Sequence, residues 1–80
     1  MKDTRNIDLQ HERERIGMRI VELRAELGMT QTDLAELTGL KQQNIARIES
    51  GKYSTGQDIL STISHALGGR LDIITEERFL

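Results

Sequence analysis

The chain has no cysteine, no proline and no apolar run long enough to cross a bilayer. Without cysteine, neither a disulfide staple nor a thiolate metal site is available. A spanning helix needs roughly 20 consecutive apolar residues, and Met1 to Asn6 has no apolar stretch of signal-peptide type. The expectation is a soluble, cytoplasmic protein with no membrane partner. With proline absent, the punctuation of the chain falls to its 7 glycines. No internal repeat or low-complexity segment is present. The 80 residues allow one domain, and a single core of that size supplies only roughly 3–5 kcal/mol. Good helix packing and a second copy of the chain are the remaining routes to stability.

The formal net charge is -2, which argues against indiscriminate nucleic-acid binding. Its distribution is more informative than its sum. Lys41, Arg47 and Lys52 outnumber Glu49 between Lys41 and Gly56, whereas Asp58, Asp72, Glu76 and Glu77 outnumber Arg70 and Arg78 beyond it. Such asymmetry permits one basic face on an acidic body, as phosphate contact requires. On charge alone, a set of solvated surfaces explains it equally well.

Residues 1–10 show no sustained period and read as a loose N-terminal arm. Ile16, Ile20, Leu23 and Leu27 then recur at helical spacing, predicting a helix from about His11 to Leu27 that Gly28 ends. Thr30, with Asp33 three residues on, opens a second helix in an acidic variant of the capping box, with Leu34, Ala35 and Leu37 as its buried positions. Gly39 stops it after about two turns. A third helix is expected over Gln42 to Glu49, with Ile45 and Ile48 inward. Thr55 and Asp58 suggest a cap for a fourth helix, whose core side is Ile59, Leu60, Ile63, Ala66 and Leu67, and Gly68-Gly69 breaks it. Leu71-Asp72-Ile73-Ile74-Thr75 has the composition of a short strand. Met18 and Met29 read as core fillers.

Two short helices joined by a glycine turn, the second polar on its outside, form the geometry of a DNA reader. Ala35 is small enough for the helices to approach, Gly39 supplies a positive φ, and Leu34, Leu40, Ile45 and Ile48 wedge the pair at a fixed angle. The run from Thr30 to Lys52 (Thr-Gln-Thr-Asp-Leu-Ala-Glu-Leu-Thr-Gly-Leu-Lys-Gln-Gln-Asn-Ile-Ala-Arg-Ile-Glu-Ser-Gly-Lys) resembles the lambda-repressor-like, XRE-type helix-turn-helix family. The resemblance covers roughly Ile16 to Leu67. It implies a mainly α, compact four-helix helix-turn-helix domain over residues 11–67; residues 68–80, where the family usually has a fifth helix, read from their composition as a C-terminal strand and tail instead.

By position, the resemblance implies that Gln31, with Thr32 beside it, meets a backbone phosphate at the start of the second helix. Lys41, Gln42, Gln43 and Arg47 would face base edges, glutamine matching adenine and arginine or lysine matching guanine. Asn44, Ser50 and Lys52 would contact the sugar–phosphate backbone, and Tyr53 is either a loop packing residue or a phosphate donor. Arg24 and Glu49 correspond to a structural ion pair between the first helix and the end of the third. Thr38 and Gly56 depart from the family by standing where it has apolar residues.

His11 and His65 lack ligand-spaced partners, and Ser61, Ser64 and His65 lack an orienting group and an oxyanion site. No enzyme and no cofactor are implied. The tail strand needs a partner for its backbone groups. That partner is either the same segment of a second copy, making Leu71, Ile73 and Ile74 dimerisation residues, or Thr4 to Leu9 of the same chain. The reading is a homodimeric, sequence-specific transcriptional repressor on a palindromic operator in double-stranded DNA. Some antitoxin subunits share a C-terminal strand, so the alternative is an antitoxin that binds a toxin protein and autoregulates its operon.

Overall fold

Asp8 opens the first helix: its carboxylate accepts the His11 backbone N–H at 3.1 Å, and α1 runs over Leu9–Glu26. In the computed structural model, which describes residues 7–74, three further helices follow: α2 (Gln31–Thr38), α3 (Gln42–Glu49) and α4 (Gln57–Ala66). α1 therefore starts two residues earlier than the sequence suggests, and Leu9 and Gln10 belong to it rather than to an arm. Residues 1–6 lie outside the described residues.

The expected capping box is formed at α2. The Asp33 N–H donates to Thr30 Oγ1 at 3.0 Å, and the Thr30 N–H donates to Asp33 Oδ2 at 2.9 Å. The second bond, then the Thr30 hydroxyl, holds the Asp33 carboxyl below its ordinary value. A depressed carboxylate stabilises the fold at neutral pH, and its contribution fades as pH falls through the folded pKa. α2 ends at Gly39, whose φ of 75° puts it in the left-handed region. A Cβ there would meet nothing within 4 Å, so the demand for glycine is conformational rather than steric.

Ile20, Leu34, Ala35, Ile45, Ile48, Ile63 and Leu67 form the buried core, with Leu34 and Ile45 fully enclosed. Ile16, Leu23, Met29, Leu40, Tyr53, Ile59, Leu60 and Ala66 pack around it. α1 rests on α3, and α2 rests on both α3 and α4. Three apolar residues expected inside lie outside. Leu27 falls just past the last helical residue, so it leaves the stripe. Leu37 projects beside the shallow groove formed with Ser61, Thr62, His65 and Ala66 of α4. Met18 occupies the solvent face of α1.

One further expectation is corrected. Gly56, not Thr55, is the N-cap of α4, and no side chain bonds there; the Thr55 hydroxyl is buried with no hydrogen-bond partner among the described residues. Leu71–Ile74 form no strand with any described residue, and Ile73 and Ile74 are 91% and 84% exposed. The partners expected for it are a second copy of the chain or Thr4 to Leu9, and of the latter Thr4, Arg5 and Asn6 lie outside the described residues. Thr75, with Glu76 and Glu77, lies outside the described residues.

What fixes α3 is contact with α1. At Gly17 the helix backbone approaches the end of α3 so closely that a Cβ would collide with the carbonyl oxygens of Ile48 and Glu49, the former at 2.7 Å. Gln10 Nε2 donates to the Gly51 carbonyl at 3.2 Å on the same seam. Below it, Arg24 forks onto the Glu49 carboxylate, Nε to Oε2 at 2.8 Å and Nη2 to Oε1 at 3.0 Å. Arg24 Nη1 also donates to the Met29 carbonyl at 2.9 Å. The side chains are 17% and 4% exposed, and the bond to Glu49 raises the Arg24 pKa above its ordinary value.

Alanine is ordinarily about 1 kcal/mol better than glycine inside a helix. Gly17→Ala is expected to reverse that sign and cost about 1–3 kcal/mol through overpacking, read as a lower denaturant midpoint; a raised midpoint would contradict the close approach. Removing one member of a buried pair costs about 3–5 kcal/mol, against about 0–1 kcal/mol for an exposed one. Arg24→Ala should therefore lower the midpoint far more than Arg19→Ala, which loses only the exposed bridge to Glu22 at 3.2 Å. Equal midpoints would refute a structural role for the Arg24–Glu49 pair.

Candidate nucleic-acid interface

The outward side of α3 is polar because its apolar positions are used inward. Ile45, Ile48 and Glu49 are buried, whereas Lys41, Gln42, Gln43 and Arg47 are exposed and Asn44 is half-buried. Lys41 is the N-cap and makes no side-chain cap bond, so the first N–H groups of α3 keep no side-chain acceptor. Ser50, Gly51 and Lys52 close the far end, and Tyr53 stands half-buried beside it.

Charge is sorted along with polarity. Glu49 is the one acid in α3, and it is turned inward and neutralised by Arg24. Lys41, Arg47 and Lys52 form no salt bridge with any described residue. Three cations thus border a face with no opposing carboxylate of its own helix, which makes the patch basic although the chain is acidic overall.

A side-chain relay crosses from the ion pair to this face. Gln31 Nε2 donates to Glu49 Oε1 at 2.8 Å, and Gln42 Nε2 donates to Gln31 Oε1 at 2.6 Å. The amide orientations follow from chemistry. A carboxylate only accepts, so Gln31 must turn its NH₂ to Glu49 and its oxygen to Gln42, which must then donate. Each amide nitrogen keeps one unspent hydrogen, and Gln42 keeps its carbonyl oxygen free of any described partner. Sequence reasoning placed Gln31 and Gln42 on the interface but missed this link. Their positions at the starts of consecutive helices were the signal for it.

The other site residues are placed as follows. Thr32 is exposed on the first turn of α2. The Ser50 hydroxyl donates to the Arg47 carbonyl at 2.8 Å, so its proton closes α3 and is not free for a phosphate unless the rotor turns. The Arg47 guanidinium lies 5.0 Å from the centroid of the Tyr53 ring. Gly17 was also missed, although a glycine inside a helical stripe is the usual sign of a close backbone approach. Leu71, Ile73 and Ile74 are exposed and take no part in this face.

A family model described as helix-turn-helix matches residues 20–74. An uncharacterized HTH-type transcriptional regulator of Methanothermobacter thermautotrophicus is 45% identical over 49 residues, 61% of this chain and 71% of that protein. Multiprotein-bridging factor 1b of Arabidopsis thaliana is 38% identical over 69 residues, 86% of this chain; the chain spans 49% of that plant protein. Among solved structures, the restriction-modification controller protein C.AhdI from Aeromonas hydrophila superposes with a TM-score of 0.73 at 27% identity, covering 75% of this chain and 91% of that one. A toxin–antitoxin module from Streptococcus pneumoniae gives 0.71 at 31% identity, covering 96% and 85%. The four-helix architecture, the glycine turn between α2 and α3 and the matched span agree, and the chain belongs to the XRE-type helix-turn-helix family of transcriptional regulators.

Proposed function

We propose that this protein is a cytoplasmic, homodimeric, sequence-specific transcriptional repressor that inserts α3 into the major groove of a palindromic operator. The observation that carries this reading is the outward face of α3: Lys41, Gln42, Gln43 and Arg47 are exposed while the helix's only acid is buried and neutralised. Gln42, with one N–H and one carbonyl oxygen unspent, matches the N7 and N6 groups of adenine, and Arg47 matches guanine O6 and N7. Lys41 and Gln43 flank them on the base-reading side. Gln31 and Thr32, at the positive end of α2, meet a phosphate, and Asn44, Ser50 and Lys52 follow the backbone and fix register.

The dimer is supported by the tail. Leu71, Ile73 and Ile74 are exposed apolar residues on a segment whose backbone has no ladder among the described residues, and pairing with the same segment of a second copy satisfies both. Two reading helices held about 34–36 Å apart then span one duplex turn. No cofactor is needed for this activity. No helix among the described residues is long and apolar enough to cross a membrane.

A second reading is an antitoxin subunit that also binds a toxin protein. It is favoured by the likeness to the Streptococcus pneumoniae toxin–antitoxin module over 96% of the chain. Co-purification with the product of a neighbouring gene supports it; a protein isolated alone after co-expression with that product opposes it.

Selecting bound duplexes from a random pool tests the main reading, the expected outcome being a two-fold symmetric consensus with fixed spacing. Gln42→Ala should cost about 1–3 kcal/mol and relax preference at one base pair, whereas Lys52→Ala should weaken all sites alike. The slope of log K against log[salt] should also shrink by about 0.9 for Lys52→Ala, one phosphate contact. Oligonucleotide capture untouched by either change would remove α3 from the interface. Deleting residues 70–80 should yield a monomer in sedimentation that keeps its cooperative melt; a persisting dimer would place the contact elsewhere.

A further inference from the structure

We propose that Tyr53 is a positioning residue for recognition: its ring holds the Arg47 guanidinium in place to read one base pair. The inference rests on the reading of Arg47 as a base contact and assigns Tyr53 a task different from donating its hydroxyl to a phosphate.

Arg47 is exposed on the last turn of α3, where a long side chain is free to sample many rotamers. No carboxylate among the described residues restrains it, and its guanidinium carbon instead sits 5.0 Å from the centre of the Tyr53 ring. The ring itself is anchored, because Tyr53 is half-buried and packs against the core cluster. Its loop is tied to the same helical turn. The Ser50 hydroxyl and the Lys52 N–H both donate to the Arg47 carbonyl, at 2.8 and 3.3 Å. Ring and Arg47 backbone therefore share one local scaffold, which keeps the ring within reach of the guanidinium.

The kind of restraint decides what Arg47 can still do. A carboxylate partner would occupy the edge of the guanidinium fork, the part that binds guanine O6 and N7 as a pair. An aromatic face attracts the cation through its quadrupole and engages the planar surface, leaving the edge N–H groups free. Holding the side chain in advance also removes part of the ordering cost at the moment of binding. Tyr53 thereby acts on discrimination at one base pair, whereas a hydroxyl-to-phosphate bond would act on all sequences equally.

The test compares duplex selection profiles and relative affinities for wild type, Arg47→Ala, Tyr53→Phe, Tyr53→Leu and the Arg47→Ala/Tyr53→Leu double variant. Arg47→Ala should flatten one base pair of each half-site, by roughly 5- to 150-fold. Tyr53→Leu should lower preference at that same pair by about two- to five-fold and leave the other pairs sharp. Tyr53→Phe, which retains the ring, should keep that preference whatever it does to overall affinity. In the Arg47→Ala background, Tyr53→Leu should change the pair no further. A thermal melt checks each variant, with Tyr53→Met in place of the leucine variant if that one loses its cooperative transition.

The positioning role is overturned if Tyr53→Leu leaves the profile sharp, if it weakens every site alike, or if Tyr53→Phe flattens the pair as much as leucine does. An unchanged profile for Arg47→Ala would be a different failure. It would show that Arg47 reads no base, and would sink the underlying contact together with its positioner.

Discussion

The Glu49 carboxylate is the point on which the arrangement turns. It stands at the end of α3 with 4% of its side chain exposed and accepts from Arg24 Nε, Arg24 Nη2 and Gln31 Nε2. Arg24 reaches on to the Met29 carbonyl in the link between α1 and α2. One buried anion therefore joins α1, the α1–α2 link, the start of α2 and the end of α3. A charge buried this far is tolerable only when paired and hydrogen-bonded, so satisfying it dictates where the other three groups sit. It also removes the only negative charge of α3 from the outer face of that helix.

Much of this was legible in the sequence, and the reasons are local. Thr30 with Asp33, Gly39 after two turns, and Ile45 with Ile48 against exposed Gln42, Gln43 and Arg47 each state their geometry within a few residues. The helix bounds of α2 and α3 follow from them. The capping box forms because both partners lie within one turn, and the glycine turn forms because few other residues accept a positive φ. The Arg24–Glu49 pairing joins residues 25 apart and was available only through resemblance to the family.

The misplacements have separate causes. Leu27 continued the stripe of α1, but the helix ends at Glu26 and the register ends with it. Leu37 lies at the edge of α2's buried face, and whether that edge is covered depends on α4, which leaves a groove there. Met18 was judged by residue type, although its place two residues after Ile16 already put it on the opposite side. Thr55 looked like a cap, but the chain enters α4 one residue later, and the hydroxyl is enclosed with no partner among the described residues. The tail is a different case, since the composition of Leu71 to Ile74 speaks for a strand while no described residue supplies a second edge.

The helix proposed to read DNA, α3, is itself a dependent element. α3 has 8 residues and no side-chain N-cap, and isolated helices shorter than about 12–15 residues are marginal in water. Its helicity must come from tertiary contact, through Ile45 and Ile48 in the core, Gly17 at the α1 crossing and Glu49 in the ion pair. Every residue on its outer side is thereby relieved of holding the helix together. Gln42, Gln43 and Arg47 can be exchanged for other polar residues with little effect on the fold, whereas the inward residues cannot. Stability and reading thus sit on opposite sides of one two-turn helix, and the Gln31 relay is where they meet. Its amide is fixed by the buried carboxylate on one side and orients Gln42 on the other. A change at Glu49 then reaches the outer face of α3 through Gln31, without any contact between Glu49 and Gln42.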